Sequence, residues 1–260
     1  MSRVIQHARA AALRVLRQQH RQRRTWLAAA TAAAVSAPGM PSAATPADAA
    51  GTALFGLVLA ITITTIGAPG DDVASGAIAQ DLLAGSGTLA VVGGTALGAA
   101  AAAAPAAATV AALAAWAPVH AKVQLLPIAV AGVALATAAA LATAVMLGTL
   151  ITGRTAAAIT LPLAFVGFLP PQGLPVDEYP AAVAKAVRAM WELLPLPHHL
   201  APILSAVQES APVPWGAVVT LVAGAAAMLA TSVAVLQWRI ARGRWAGRTP
   251  SSSTASNART

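Results

Sequence analysis

"PIAVAGVALATAAALATAVMLGTLITGRTAAAITLPLAFVGFL", residues 127–169, decides how this chain is read. Its single charged side chain is Arg154. As one α-helix rising about 1.5 Å per residue the run would be about 64 Å long, twice the roughly 30 Å hydrocarbon core of a bilayer. It must therefore fold back on itself, and "TGRTA" around Arg154 marks the turn. Spans over 127–152 and 156–169 follow, the second of them short.

The same ruler finds further spans outward from this run. Residues 51–68, "GTALFGLVLAITITTIGA", carry no charge and are just long enough. Residues 87–115 make a longer span, interrupted by Pro105. Residues 215–238 run from Trp215 to Trp238, with aromatic rings at both ends where the membrane interfaces lie. The first candidate, 26–40, holds only about 13 apolar residues after Trp26, about 20 Å of helix. It reads either as a short retained span or as a cleaved signal ending at "VSA", 35–37. The segment before it supports a retained span. Val4, Ile5, Ala8, Ala11, Ala12, Val15 and Leu16 recur at helical spacing, with Arg3, Arg9, Arg14 and Arg17 largely on other faces. Residues 1–24 thus read as an amphipathic helix suited to a membrane interface. The sequence predicts an all-α, polytopic membrane bundle of six spans over 25–238.

Composition agrees. The 260 residues are 58% apolar and 9% charged, far from the quarter or so of charged residues usual in soluble domains, and the mean hydropathy is +0.71. Cys is absent, which excludes a disulfide framework, a thiolate nucleophile and thiolate-built metal sites. The net charge of +8 does not point to nucleic acid, because Arg gathers at the two ends, 3–24 and 239–259, flanking apolar runs. Abundant Ala and Gly suit helices that approach closely. The Ala-rich composition also hints at a GC-rich bacterial genome, hence a bacterial plasma membrane.

Charge also sets the orientation. Seven Arg precede residue 25, Arg154 stands in the turn, and five Arg follow residue 238; the opposite side has Lys122, Lys185 and Arg188. The positive-inside rule therefore places both termini in the cytoplasm. The acidic stretch "GDDVASGAIAQDLLAG", 70–85, falls on the same side, because burying its three Asp at mid-bilayer would cost roughly 8 to 10 kcal/mol. Gly67, Pro69 and Gly70 break the preceding helix, Asp71 or Asp72 is placed to cap a new one, and Gly85 and Gly87 end it. Residues 70–86 read either as a solvated loop or as an elbow that meets another protein. On the outer side, 177–210 carries short helices separated by Pro195, Pro197 and Pro202, with Trp191 at interfacial depth. The tail 239–260 is basic and ends in the partly disordered "SSSTASNART".

Catalytic and metal signals are weak. His198 and His199 are adjacent, so they do not share a helical face, and no H-E-x-x-H spacing occurs; interfacial histidines are the simpler reading. There is no P-loop, so ATP has no Walker A site in this chain. No ionisable residue falls clearly inside a span, which argues against a proton relay. The sequence predicts no enzyme activity and no cofactor site.

In order and topology the chain resembles the permease subunits of ABC-2 type exporters. Those open with a cytoplasmic interfacial helix, as residues 2–24 do here. Between spans two and three they carry an acidic residue, Ser-Gly, an aliphatic residue and a Leu-Leu pair, matched by Asp72, Ser75-Gly76, Ile78 and Leu82-Leu83. "MLGTLITGRTAAAITLPLAFVGF" matches their tight turn between spans four and five, and "ELLPLPHHLAPILSAV" their Pro-rich outer segment. Family members place a basic residue soon after the Leu-Leu pair, whereas here none follows until Lys122. The resemblance implies a dimer of permease copies, identical or different, forming the path in the lipid bilayer, with separate subunits that bind ATP and Mg docked on the cytoplasmic side. The implied docking surface is Arg9, Arg14 and Arg17 together with the elbow residues Asp72, Ser75, Gly76, Gln80, Asp81, Leu82 and Leu83. Two other readings stand beside it: a membrane anchor or assembly protein, and an intramembrane enzyme.

Overall fold

The computed structural model describes residues 3–43, 45–65, 72, 76–115, 126–151, 153–209 and 211–242. Among them the chain is helical with no strand. Ten α-helices are described: α1 Arg3–Arg21, α2 Arg24–Ser36, α3 Pro46–Thr65, α4 Ala77–Leu83, α5 Thr88–Ala115, α6 Leu126–Leu150, α7 Gly153–Val166, α8 Ala181–Leu193, α9 Leu200–Glu209 and α10 Trp215–Ala241. Four are long and apolar enough to cross a membrane, through Asp48–Thr65, Thr88–Ala114, Val130–Leu150 and Trp215–Ala241. α2 and α7, with 13 and 14 residues, are about 20 Å long and fall short of that length on their own.

α3 is the central helix. Its apolar window is 72% buried, against 11% for α10 on the periphery. Leu54 and Val58 of α3 pack with Ala136 and Ala139 of α6, Leu200, Ile203 and Leu204 of α9, and Leu221 of α10. On its other side Ala53, Leu57 and Ala60 meet Ala28 and Ala32 of α2 and Ala106 and Val110 of α5. The contacts on this second side are mostly Ala on Ala, which lets backbones come close enough for dispersion to hold helices that gain little by hiding from lipid. Thr62, Thr64, Thr65, Thr95 and Thr143 each donate a hydroxyl to a carbonyl of their own helix one turn earlier. Hydroxyls in apolar surroundings are thereby satisfied without a partner helix. α5 runs unbroken through Pro105, and the Thr109 hydroxyl donates to the Pro105 carbonyl.

α1 packs lengthwise on α5. Ala11, Val15 and Gln19, one turn apart, are its buried stripe. Opposite them, a Cβ on Gly94 would lie 2.7 Å from Ala11 Cβ, and one on Gly98 2.8 Å from Val15 Cβ and 2.6 Å from the Ala12 carbonyl. Only glycine leaves room for that approach. The apolar side of α1 is thus spent partly on protein, while Val4 and Ile5, counted on the same side in sequence, remain about half exposed.

One end of the bundle is drawn together by polar contacts. Thr88 Oγ1 accepts from Gln237 Nε2 at 3.3 Å, Arg239 donates to the Leu150 carbonyl at 2.9 Å, and His7 Nδ1 lies 2.8 Å from Ser86 Oγ. The N-terminus of α1 and the C-terminus of α10 therefore share this end.

The segment after α7 packs alongside the middle of the membrane-length helices. α8 ends at Leu193, a 3-10 turn covers Pro197–His199, and α9 returns. Together they form a helical hairpin. Its tip reaches Gly224, nine residues and about 14 Å into α10 from Trp215, where an added Cβ would lie 2.5 to 3.0 Å from the Pro195 ring. Leu196 and Pro197 face Ala140 and Thr143, at the middle of the apolar stretch of α6. The hairpin fills the space above α7, and the His198 backbone N–H donates to the Gly167 carbonyl just past the end of α7 at 2.9 Å. Spacing alone does not reveal this, because proline positions mark where helices stop and say nothing of depth.

Candidate functional site

Arg14 is the residue on which α1, α4 and Asp72 converge. It stands on the flank of α1 next to the buried stripe. Its guanidinium pairs with Asp72 at 3.2 Å, pairs with Asp81, and reaches the Ala77 carbonyl at 3.4 Å. Asp72 is almost fully buried, with 5% of its side chain exposed, whereas Arg14 and Asp81 retain 27% and 30%. Removing a carboxylate from water is tolerable only when a cation holds it, and Arg14 supplies both charge and donors. Asp72 is helical, and Asp71 and residues 73–75 on either side of it, with the cap suggested there, lie outside the described residues. α4 starts at Ala77, with Gly76 at its N-cap in the left-handed region (φ 76°) and no side-chain cap, while Asp72 turns to Arg14. The positive φ requires glycine there.

α4 is anchored on its other face. Ile78, 1% exposed, joins Val91 and Val92 of α5, Val145 of α6 and Leu236 of α10, with Leu82 partly buried against them. Leu83 is 88% exposed and Gln80 is exposed as well. Gly85 (φ 87°) closes the helix as expected. The arrangement clamps α1, α4 and the start of α5 into one polar-and-apolar joint, with Gln80 and Leu83 turned outward. Arg9 and Arg17 are exposed on α1 and do not join the cluster. Ser75 and Asp71 lie outside the described residues. Arg154 is in the first turn of α7.

The second polar focus is the tip of the hairpin. His198 and His199 are 8% and 7% exposed. His199 Nε2–H donates to the Leu194 carbonyl at 3.0 Å. His198 stacks on Trp191 at 6.4 Å between centroids, 10° from parallel, and neither of its ring nitrogens has a hydrogen-bond partner among the described residues. Trp191 in turn donates its indole N–H to the Leu169 carbonyl at 3.0 Å. These histidines are buried in the protein, and the proline pattern around them gives no sign of it. Between the tip and α3, α6 and α7 lies a seam with room for about one water (≈ 20 Å³). Thr62, Thr143 and Thr160 line it with hydroxyls already committed to their own helices.

Two features readable by eye were missed: Gly94-x-x-x-Gly98, a small-x-x-x-small pair that receives α1, and Gln19, an amide at 0% exposure whose side-chain atoms have no partner among the described residues.

Fold and polar joint define an all-helical bundle with membrane-length apolar helices. No protein-family model matches the chain, and neither the curated proteins nor the solved structures contain a match to it.

Proposed function

We propose that the chain is the membrane-spanning subunit of an exporter of the ABC-2 type, driven by a separate ATP-binding subunit. The observation that carries the reading is the joint at Arg14: the N-terminal helix and the segment between the first two membrane-length helices are tied through Asp72 and Asp81. A partner pressing on the exposed Gln80 and Leu83 would move α1, α4 and α5 together, because an ion-paired, apolar-anchored helix transmits a push that a loose loop would absorb. Six passes follow in this reading if α2 crosses as a short span and α7 is completed on the outer side by the hairpin. Both termini are then cytoplasmic, two permease copies form the path, and ATP and Mg stay in the partner. The closed seam beside Thr62 and Thr143 is, in this account, a resting state of that path.

Co-purification tests it. An ATP-binding subunit should come down with the chain from native membranes, and Gly76→Val and Asp81→Lys should uncouple its ATPase from transport without releasing it. Unchanged coupling in both variants would remove the elbow from the mechanism.

A further inference from the structure

At the polar end of the bundle an open groove of ≈ 360 Å³ runs between the end of α6 and α10. Its floor and walls are Leu150, Thr231, Ala234 and Val235, and its mouth is Trp238 and Arg239. The wall offers no free hydroxyl, because Thr231 donates to the Ala227 carbonyl at 2.8 Å. The mouth is a built cationic site. Arg239 is held by the Leu150 carbonyl at 2.9 Å, and the Arg242 guanidinium lies 4.3 Å from the centroid of the Trp238 ring. Among the described residues neither guanidinium is paired with a carboxylate. α10 is the most exposed of the four membrane-length helices, which turns the groove toward whatever surrounds the bundle.

We propose that this groove binds one glycerophospholipid with an anionic head group, its acyl chain along Leu150, Ala234 and Val235 and its phosphate between Arg239 and Arg242. The chemistry selects that ligand over others. An apolar groove ends at a Trp and two guanidiniums held by a carbonyl and by the Trp ring, and guanidinium recognises phosphate by paired N–H donors. A phospholipid is also the one amphiphile present at bilayer concentration at that depth. The inference rests on the chain spanning a bilayer, and it needs neither transport nor an ATP-binding partner.

The test uses the purified full chain in neutral detergent. Thermal unfolding is followed with dioleoyl phosphatidylglycerol, dioleoyl phosphatidylcholine or inorganic phosphate added, and a diazirine-bearing phosphatidylglycerol is crosslinked and its adduct mapped. The site predicts a preference for phosphatidylglycerol over phosphatidylcholine of about thirtyfold in half-saturating concentration, from roughly one charge contact per Arg. It also predicts no effect of inorganic phosphate and an adduct at Leu150 or within 231–239. Arg239→Gln with Arg242→Gln should abolish the preference, and Ala234→Phe should block both lipids. Equal effects of the two lipids, stabilisation by inorganic phosphate alone, or adducts spread over the exposed face of α10 would each overturn the proposal. The mapped adduct in the unaltered chain decides the matter should the Arg variants fail to fold. A failed ATP-binding partner assay with this lipid signature intact would leave the groove standing and remove only the exporter reading.

Discussion

Arg14 carries more of the structure than its neighbours Arg9 and Arg17, which share its charge and its helix. It alone among the three reaches carboxylates, and one of these is nearly dry. Replacing it takes the paired cation from a nearly buried carboxylate, whereas replacing Asp81 leaves a partly solvated Arg14 that keeps Asp72. Arg14→Gln should therefore cost about 2 to 3 kcal/mol and Asp81→Asn less than about 1 kcal/mol. Adding Asp72→Asn to the Arg14→Gln chain should recover most of the loss. Denaturant titration in detergent checks all three, and equal costs for Arg14→Gln and Asp81→Asn would show that Asp72 does not depend on Arg14. The sequence made Asp72, Asp81 and Arg14 visible as charges in an apolar chain, yet it could not pair them, because 58 residues separate Arg14 from Asp72 and pairing is set by tertiary contact. The same limit hid His198, whose burial depends on how far the hairpin dips.

At the scale of elements, the long apolar helices were legible because length and composition determine them. α5, α6 and α10 lie within a few residues of the expected 87–115, 127–152 and 215–238. α3 begins earlier, at Pro46, because Thr45 and Asp48 cap its start with reciprocal bonds: Asp48 Oδ2 accepts from the Thr45 N–H at 3.1 Å, and the Asp48 N–H donates to Thr45 Oγ1 at 3.2 Å. Less legible was what the short helices touch. α1 and the hairpin are placed by glycines on their neighbours, Gly94 and Gly98 for the first and Gly224 for the second. Gly98→Leu should thus detach α1 and expose Arg3–Arg21 to protease while leaving the membrane-length helices intact, and Gly224→Val should expel the hairpin tip without freeing α1. Limited proteolysis with peptide mapping separates the two. Both variants cleaving alike would mean that the two elements are not held independently.

For the whole molecule, His7, Arg239 and Leu150 gather at one end of the bundle, and in the proposed topology the positive-inside rule puts that end in the cytoplasm. The chain has no Cys, so single cysteines report topology without background. Cysteines at positions 9 and 242 should react with an impermeant maleimide only after the membrane is opened from the cytoplasmic side, and one at position 179 should react in intact cells. Labelling of 9 and 179 from the same side would break the six-pass reading. α2 and α7 decide the number of passes, and no sequence measure resolves them, because a 20 Å helix crosses only if its surroundings thin the bilayer or complete it.

In the proposed exporter the joint of α1 and α4 faces an ATP-binding subunit, and a photo-crosslink from Leu83, an exposed residue of that joint, tests this without intermediaries. A benzophenone amino acid at position 83, introduced into the otherwise unchanged chain and irradiated in native membranes, should give one protein adduct whose sequence carries a P-loop and whose yield changes when ATP is added. An adduct only to lipid, or to a protein lacking a P-loop, would contradict the account.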